Sequence, residues 1–104
     1  MKKIIDSKRY DTETAEQIHG WDNGIYGNDF KSCKETLYKT KNGAYFLYGS
    51  GGPMSKYAEP CGNNNVGGSS DIIPMDAEEA FQWLCDHGGE DAAEVEFPEM
   101  IHEA

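Results

Sequence analysis

The pair Asn42-Gly43, set between two aromatic-rich runs at residues 37–40 and 44–48, constrains this chain more than any other feature. Asn-Gly between apolar runs is the strongest short-range hairpin signal, because a type I′ turn needs positive φ at both central residues and these two tolerate it. Such a two-residue turn sets the register: Lys39 opposite Phe46, Tyr38 opposite Leu47, Leu37 opposite Tyr48. Leu37, Phe46 and Tyr48 then share one face, and Tyr38, Tyr45 and Leu47 the other. A hairpin apolar on both faces belongs near the centre of its sheet, with cover on each side. The run GSGGPM at 49–54 ends any regular element.

The rest of the chain reads around that hairpin. Residues 2–6 and 8–11 form a short hairpin with Ile4, Ile5 and Tyr10 as its apolar members. Thr12 or Thr14 can cap a helix over 13–20, with Ala15 and Ile18 on one face, His19 in the last turn and Gly20 as the stop. Residues 22–28 read as a loop and 30–40 as an extended run into the central hairpin. Residues 53–70 are an irregular connection anchored by Met54 and Tyr57, and 71–75 a strand that Pro74 limits to an edge or an end. Asp76 followed by Glu79 predicts a capping box, and Ala77, Ala80, Phe81, Leu84 and Cys85 predict one buried helical stripe that ends at Gly88-Gly89. Trp83 lies almost opposite that stripe, so the C-terminal segment or a partner has to cover it. The expected fold is α+β: a small antiparallel sheet around the 37–48 hairpin with two helices, the longer at about 76–87. Residues 1–104 form one domain, with 90–104 an acidic terminal segment expected to be mobile in part.

Charge is distributed more unevenly than the net of −10 conveys. Residues 1–70 carry nine Lys/Arg against eight Asp/Glu, whereas 71–104 carry eleven Asp/Glu and no Lys or Arg. An acidic third without cations repels nucleic acid and attracts basic surfaces; its alternative reading is a solubilising face. No apolar run reaches the roughly 20 residues of a membrane span, and residues 1–11 lack the apolar stretch of a signal peptide, so a cytoplasmic protein is expected. Cys33, Cys61 and Cys85 are odd in number and far apart, which argues against disulfides and against zinc.

Residue patterns for chemistry are sparse, and neither a catalytic residue nor a metal or other cofactor is assigned. GSGGPMSK fails the phosphate-loop pattern, since Ser55 precedes Lys56 and Tyr57 follows it. His19, His87 and His102 form no metal-ligand spacing, and no local signature supports a Cys/His nucleophile at Cys33 or Cys85. Glu90-Asp91 and Glu94/Glu96 read as a solvated face before they read as a Mg²⁺ site. Lys31, Lys34, Lys39 and Lys41, interleaved with Tyr38 and Tyr45, could contact RNA or simply discourage strand addition.

Three segments taken together, KKIIDSKRYDTETA (2–15), ETLYKTKNGAYFLYGSGGPMSKYA (35–58) and IIPMDAEEAFQWL (72–84), resemble a family of small proteins carried by bacterial plasmids, phages and other mobile elements. Some of its members are anti-CRISPR proteins acting on type II systems. The resemblance covers about half of the chain and implies a stoichiometric inhibitor of an RNA-guided nuclease in the bacterial cytoplasm. Such nucleases hold nucleic acid in strongly positive channels, which an acidic surface could enter by imitating phosphate, blocking guide-RNA loading or DNA binding. In that reading Asp86, Glu90, Asp91, Glu94 and Glu96 supply the electrostatics, with Trp83 or Tyr48 as an anchor. Guide RNA is then contacted only indirectly or weakly, and an exposed Trp83 would favour a dimer. Two other readings stay open: an interaction or regulatory module of a mobile element with another basic partner, and a metal-dependent nuclease acting on guide RNA.

Overall fold

The computed structural model describes residues 1–22, 33–51, 59–60, 66–67 and 69–104. Its centre is a four-stranded antiparallel sheet of β3 (Glu16–Asp22), β4 (Cys33–Lys39), β5 (Tyr45–Gly51) and β8 (Ser69–Met75), in the order β3-β4-β5-β8. A separate hairpin, β1 (Lys2–Ile5) with β2 (Lys8–Asp11), precedes it, and β6 (Glu59–Pro60) pairs with β7 (Val66–Gly67). Helices α1 (Ala77–Asp86) and α2 (Glu90–Glu96) and a 3₁₀ turn (Pro98–Met100) close the chain. The class is α+β, as expected. The expectations for residues 23–32, for Met54 and Tyr57 and for Cys61 fall outside the described residues.

β4 and β5 form the expected central hairpin, but its register is shifted by one residue: Lys39 faces Tyr45, Tyr38 faces Phe46 and Leu37 faces Leu47. The loop has three residues rather than two. Thr40 N–H donates to the Ala44 carbonyl at 2.8 Å and Gly43 N–H to the Thr40 carbonyl at 2.9 Å, with positive φ at Gly43 (85°) alone in the loop. This is a turn followed by one left-handed glycine, a geometry that Asn-Gly serves as well as type I′. The Thr40 hydroxyl adds a third closure, accepting from Ala44 N–H at 3.0 Å. Because side chains alternate with period two, the shift regroups the faces. Leu37, Tyr45 and Leu47 lie together under the helices, while Tyr38, Phe46 and Tyr48 lie together on the opposite side.

Each face has its own cover. On one, Leu37, Tyr45 and Leu47 meet Ala80, Trp83, Leu84, Ala93 and Phe97 from the helical end of the chain. On the other, Phe46 and Ile72 meet Tyr10 of the β1–β2 hairpin, with the Tyr10 and Phe46 rings edge-on at 5.6 Å. That hairpin turns at Asp6-Ser7, both with positive φ (52° and 64°). Lys3 Nζ fastens it to the sheet through Asp71 Oδ1 at 2.6 Å, a hydrogen bond that holds the Asp71 carboxyl below its usual range.

The helix expected over 13–20 is instead strand β3, paired along its length with β4. Its apolar residues are too few for a stable amphipathic helix, and six ladder positions on β4 outweigh the weak local signal. A bulge between Gln17 and His19 lets both Ile18 and Trp21 reach the helix-side core. The second helix is therefore α2, within the terminal segment, where Ala93 and Phe97 are buried.

Helix α1 begins as its sequence requires: Glu79 N–H donates to Asp76 Oδ1 at 2.8 Å and Asp76 N–H to Glu79 Oε1 at 3.1 Å. It ends where Gly88 takes φ 73° and Gly89 N–H donates to the Leu84 carbonyl at 2.7 Å. Gly89 is required by space: a Cβ there would lie 2.8 Å from Leu84 Cδ2, 3.1 Å from the Leu84 carbonyl and 3.2 Å from His19 Cδ2. Gly89→Ala should therefore destabilise the fold by about 1–3 kcal/mol through overpacking. Gly20→Ala, whose new methyl would meet nothing nearer than 3.8 Å, should cost far less. Chemical denaturation of the two variants checks the contrast, and equal losses would contradict it.

Candidate protein-binding face

The buried stripe of α1 is Ala80, Trp83 and Leu84, with the half-buried His87 one turn further on. It is rotated from the expected one: Ala77 and Cys85 are exposed, and Trp83 is only 6% exposed. The sheet covers Trp83, rather than the terminal segment alone or a partner. The cause is a carboxylate 48 residues away: Glu35 on β4 is 1% exposed and accepts from Trp83 Nε1–H at 3.3 Å. A buried carboxylate needs partners, and the indole N–H needs an acceptor, so each fixes the other.

Both histidines of this region join the contact. His87 Nε2 lies 3.7 Å from Glu35 Oε1, and its Nδ1 donates to the Trp83 carbonyl at 2.7 Å. His19 Nε2 donates to the His87 carbonyl at 2.9 Å, which ties β3 to the end of α1. His19 was expected in a helical last turn and is instead a strand residue that caps a helix end. The His87 ring stacks on Trp83 at 4.7 Å and meets Trp21 edge-on at 4.6 Å. No sequence spacing signals this group, whose members come from β3, β4 and α1.

Outside this core the helices present the acids. Asp86, Glu90, Asp91 and Glu94 are exposed, whereas Glu96 is partly buried and pairs with Lys39 Nζ at 3.4 Å. Among the described residues Glu96 and Asp71 are the acids from residue 71 onward that form salt bridges. Glu90 and Asp91 stand in the first turn of α2, where the dipole favours negative charge, but the placement of Asp86 and Glu94 opposes local stability. Asp86 stands in the last turn of α1 and Glu94 in the last turn of α2, where the helix dipole disfavours negative charge by about 0.3–1 kcal/mol each, and neither turn holds a basic residue. Glu90 and Glu94 repel at i, i+4 spacing.

Between α1, α2 and the terminal residues runs a groove of about 340 Å³ lined by Phe81, Cys85, Ala93, Met100 and Ile101, with Glu90, Glu94 and His102 at its rim. An apolar seat edged by carboxylates suits an apolar side chain flanked by cations. Of the residues expected to act together, Asp86, Glu90, Asp91 and Glu94 share the helical end of the molecule. Tyr48 is half-buried on the opposite face of the sheet beside Phe46 and Ile72, apart from those acids. The groove was not legible beforehand because Met100 and Ile101 belong to no periodic segment. Among the described residues no cluster of three His, Cys, Asp or Glu could hold a metal ion, and no helix is long and apolar enough to cross a membrane. Neither a family model, nor a curated protein, nor a solved structure matches this chain.

Two predictions follow from this packing. Glu35→Ala should destabilise the protein by roughly 3 kcal/mol, since it strands the Trp83 N–H and His87, while Glu35→Gln, which keeps an acceptor, should cost less than half of that. Equal losses by thermal unfolding would contradict the hydrogen-bond role. At alkaline pH, burial and then Glu96 raise the Tyr45 phenol above its ordinary 10.0, and neighbouring Tyr45 and then Glu96 raise Lys39 above 10.5. Raised folded-state values mean stability that is complete below those ordinary values and is lost as pH rises through the folded ones. Denaturation midpoints should fall above about pH 10, and less steeply in Tyr45→Phe; an identical slope would assign the effect elsewhere.

Proposed function

We propose that this chain is a stoichiometric protein inhibitor that docks its α1–α2 face on a positively charged surface of its target, a type II RNA-guided CRISPR nuclease. The observation that carries the docking reading is the position of Asp86, Glu90 and Glu94. They are exposed, they belong to a third of the chain that contains no Lys or Arg, and two of them stand at helix ends that disfavour negative charge. A basic partner reverses that penalty, and the apolar groove between the acids adds a site for one desolvated side chain. The choice of nuclease rests on the resemblance of residues 2–15, 35–58 and 72–84. Occupation of the nucleic-acid channel by carboxylates would exclude guide RNA or target DNA by charge and by volume.

In this reading Trp83 and Glu96 support the face from within, and Asp86, Glu90, Asp91 and Glu94 touch the partner. A purified type II effector nuclease, with and without its guide RNA, should form a one-to-one complex with the chain that weakens as salt is raised. Reversal of the four exposed acids to Lys should weaken that complex on the order of a hundredfold and remove the salt dependence. Full binding by a folded variant overturns the docking face. Acid-dependent binding to other basic proteins, without binding to any such nuclease, overturns the choice of target alone.

A further inference from the structure

We propose a second site on this chain: a phosphate-binding cleft between the turns of its two hairpins, sized for the phosphate chain of a nucleotide. The cleft encloses about 660 Å³, and its walls include Ser7, Lys8 and Arg9 on one side and Thr40, Lys41 and Asn42 on the other. A depression of about 410 Å³ adjoins it, sharing Thr14, Thr40 and Lys41 and adding Lys39. These volumes lie in the range of small-molecule sites, roughly 300–1,000 Å³.

The lining has the chemistry of an anion site. Lys8, Arg9 and Lys41 bring three cations to one cavity in a protein of net charge −10, and among the described residues none of them forms a salt bridge. Against these three cations the cleft itself sets one negative carboxylate, Asp11, which accepts from Glu13 N–H at 3.0 Å, and Glu16 faces Lys39 and Lys41 in the adjoining depression. Ser7 and Thr14 add hydroxyls that can donate to phosphate oxygens. Arg supplies a planar fork for two such oxygens, and Lys a compact charge. No acid of α1 or α2 lines the cavity, and screening beyond about 8 Å in physiological salt leaves the local cations to decide what enters.

The turn and the cleft floor fix what can enter. The two-residue turn Asp6-Ser7, with φ 52° and 64° as a type I′ hairpin turn requires, carries Ser7 and Lys8 to the edge of the cleft. Tyr10 is 7% exposed and held against Phe46, so it forms a floor and not a stacking platform for a base. That favours a small phosphorylated ligand over single-stranded nucleic acid.

The test is a titration of the full chain with inorganic pyrophosphate, with ATP and with an eight-nucleotide RNA lacking a terminal phosphate, read by calorimetry and by backbone amide shifts. Pyrophosphate and ATP should bind saturably, with shifts concentrated at residues 7–9 and 40–42. Lys41→Ala and the double variant Lys8→Ala/Arg9→Ala should each weaken binding tenfold or more, with circular dichroism unchanged. Absence of saturation at millimolar pyrophosphate, or equal binding by folded Lys41→Ala, overturns the site. Binding of the RNA without binding of pyrophosphate or ATP overturns the assignment of a small phosphorylated ligand. The four-acid reversal on α1 and α2 should leave this binding in place, which separates the cleft from the protein-docking face.

Discussion

The pairing of Leu37 with Leu47 is the contact on which the other packing depends. One residue of slip in that hairpin would move Leu37 from the helix side to the hairpin side, and with it Glu35, which lies two positions along the same strand. Glu35 would then no longer meet Trp83. The turn closure between Thr40 and Ala44, three bonds around a single left-handed glycine, thus decides where a helix 40 residues later can dock. Short-range stereochemistry selects the register, and a long-range polar contact makes use of it.

How much of this was legible in the sequence varied with the range of the interaction responsible. The capping box of α1, the edge position imposed by Pro74 and the β1–β2 hairpin all follow from residues within a few positions of one another, and each appears as expected. Strand β3 was misread because its local pattern is weak in either period, and its conformation comes from pairing with a strand more than ten residues away. The stripe of α1 was misplaced because Ala80 and Leu84 fit two neighbouring stripes equally. Only the partners Glu35, His19 and Trp21 select the one containing Trp83, and these come from other strands. For the candidate face, the acids were legible as a count and as helix positions, while the apolar groove beside them needed the folded end of the chain.

The division of labour between the halves of the molecule follows from the same segregation. Residues 1–70 carry all nine Lys and Arg, and among the described residues Lys8, Arg9 and Lys41 stand at or beside the two hairpin turns. The helical third contributes apolar surface inward and carboxylates outward, with Glu96 bridging back to Lys39 as a strap between the two regions. An acidic helical end of this kind orients a protein during encounter with a basic surface before any contact is made.

The shared position of the two tryptophans has a further consequence. Trp21 and Trp83 are the only indoles in the chain, and both lie against the ring of one histidine, His87. Tryptophan fluorescence therefore originates from a single junction, where β3 meets the end of α1. Its emission follows the separation of helix from sheet, and is blind to detachment of the β1–β2 hairpin, whose contacts with the sheet, Tyr10 on Phe46 and Lys3 on Asp71, lie away from both indoles. An unfolding curve recorded by tryptophan emission alone would describe one half of this small protein as though it were the whole, and coincidence with circular dichroism is what would establish that both halves unfold together.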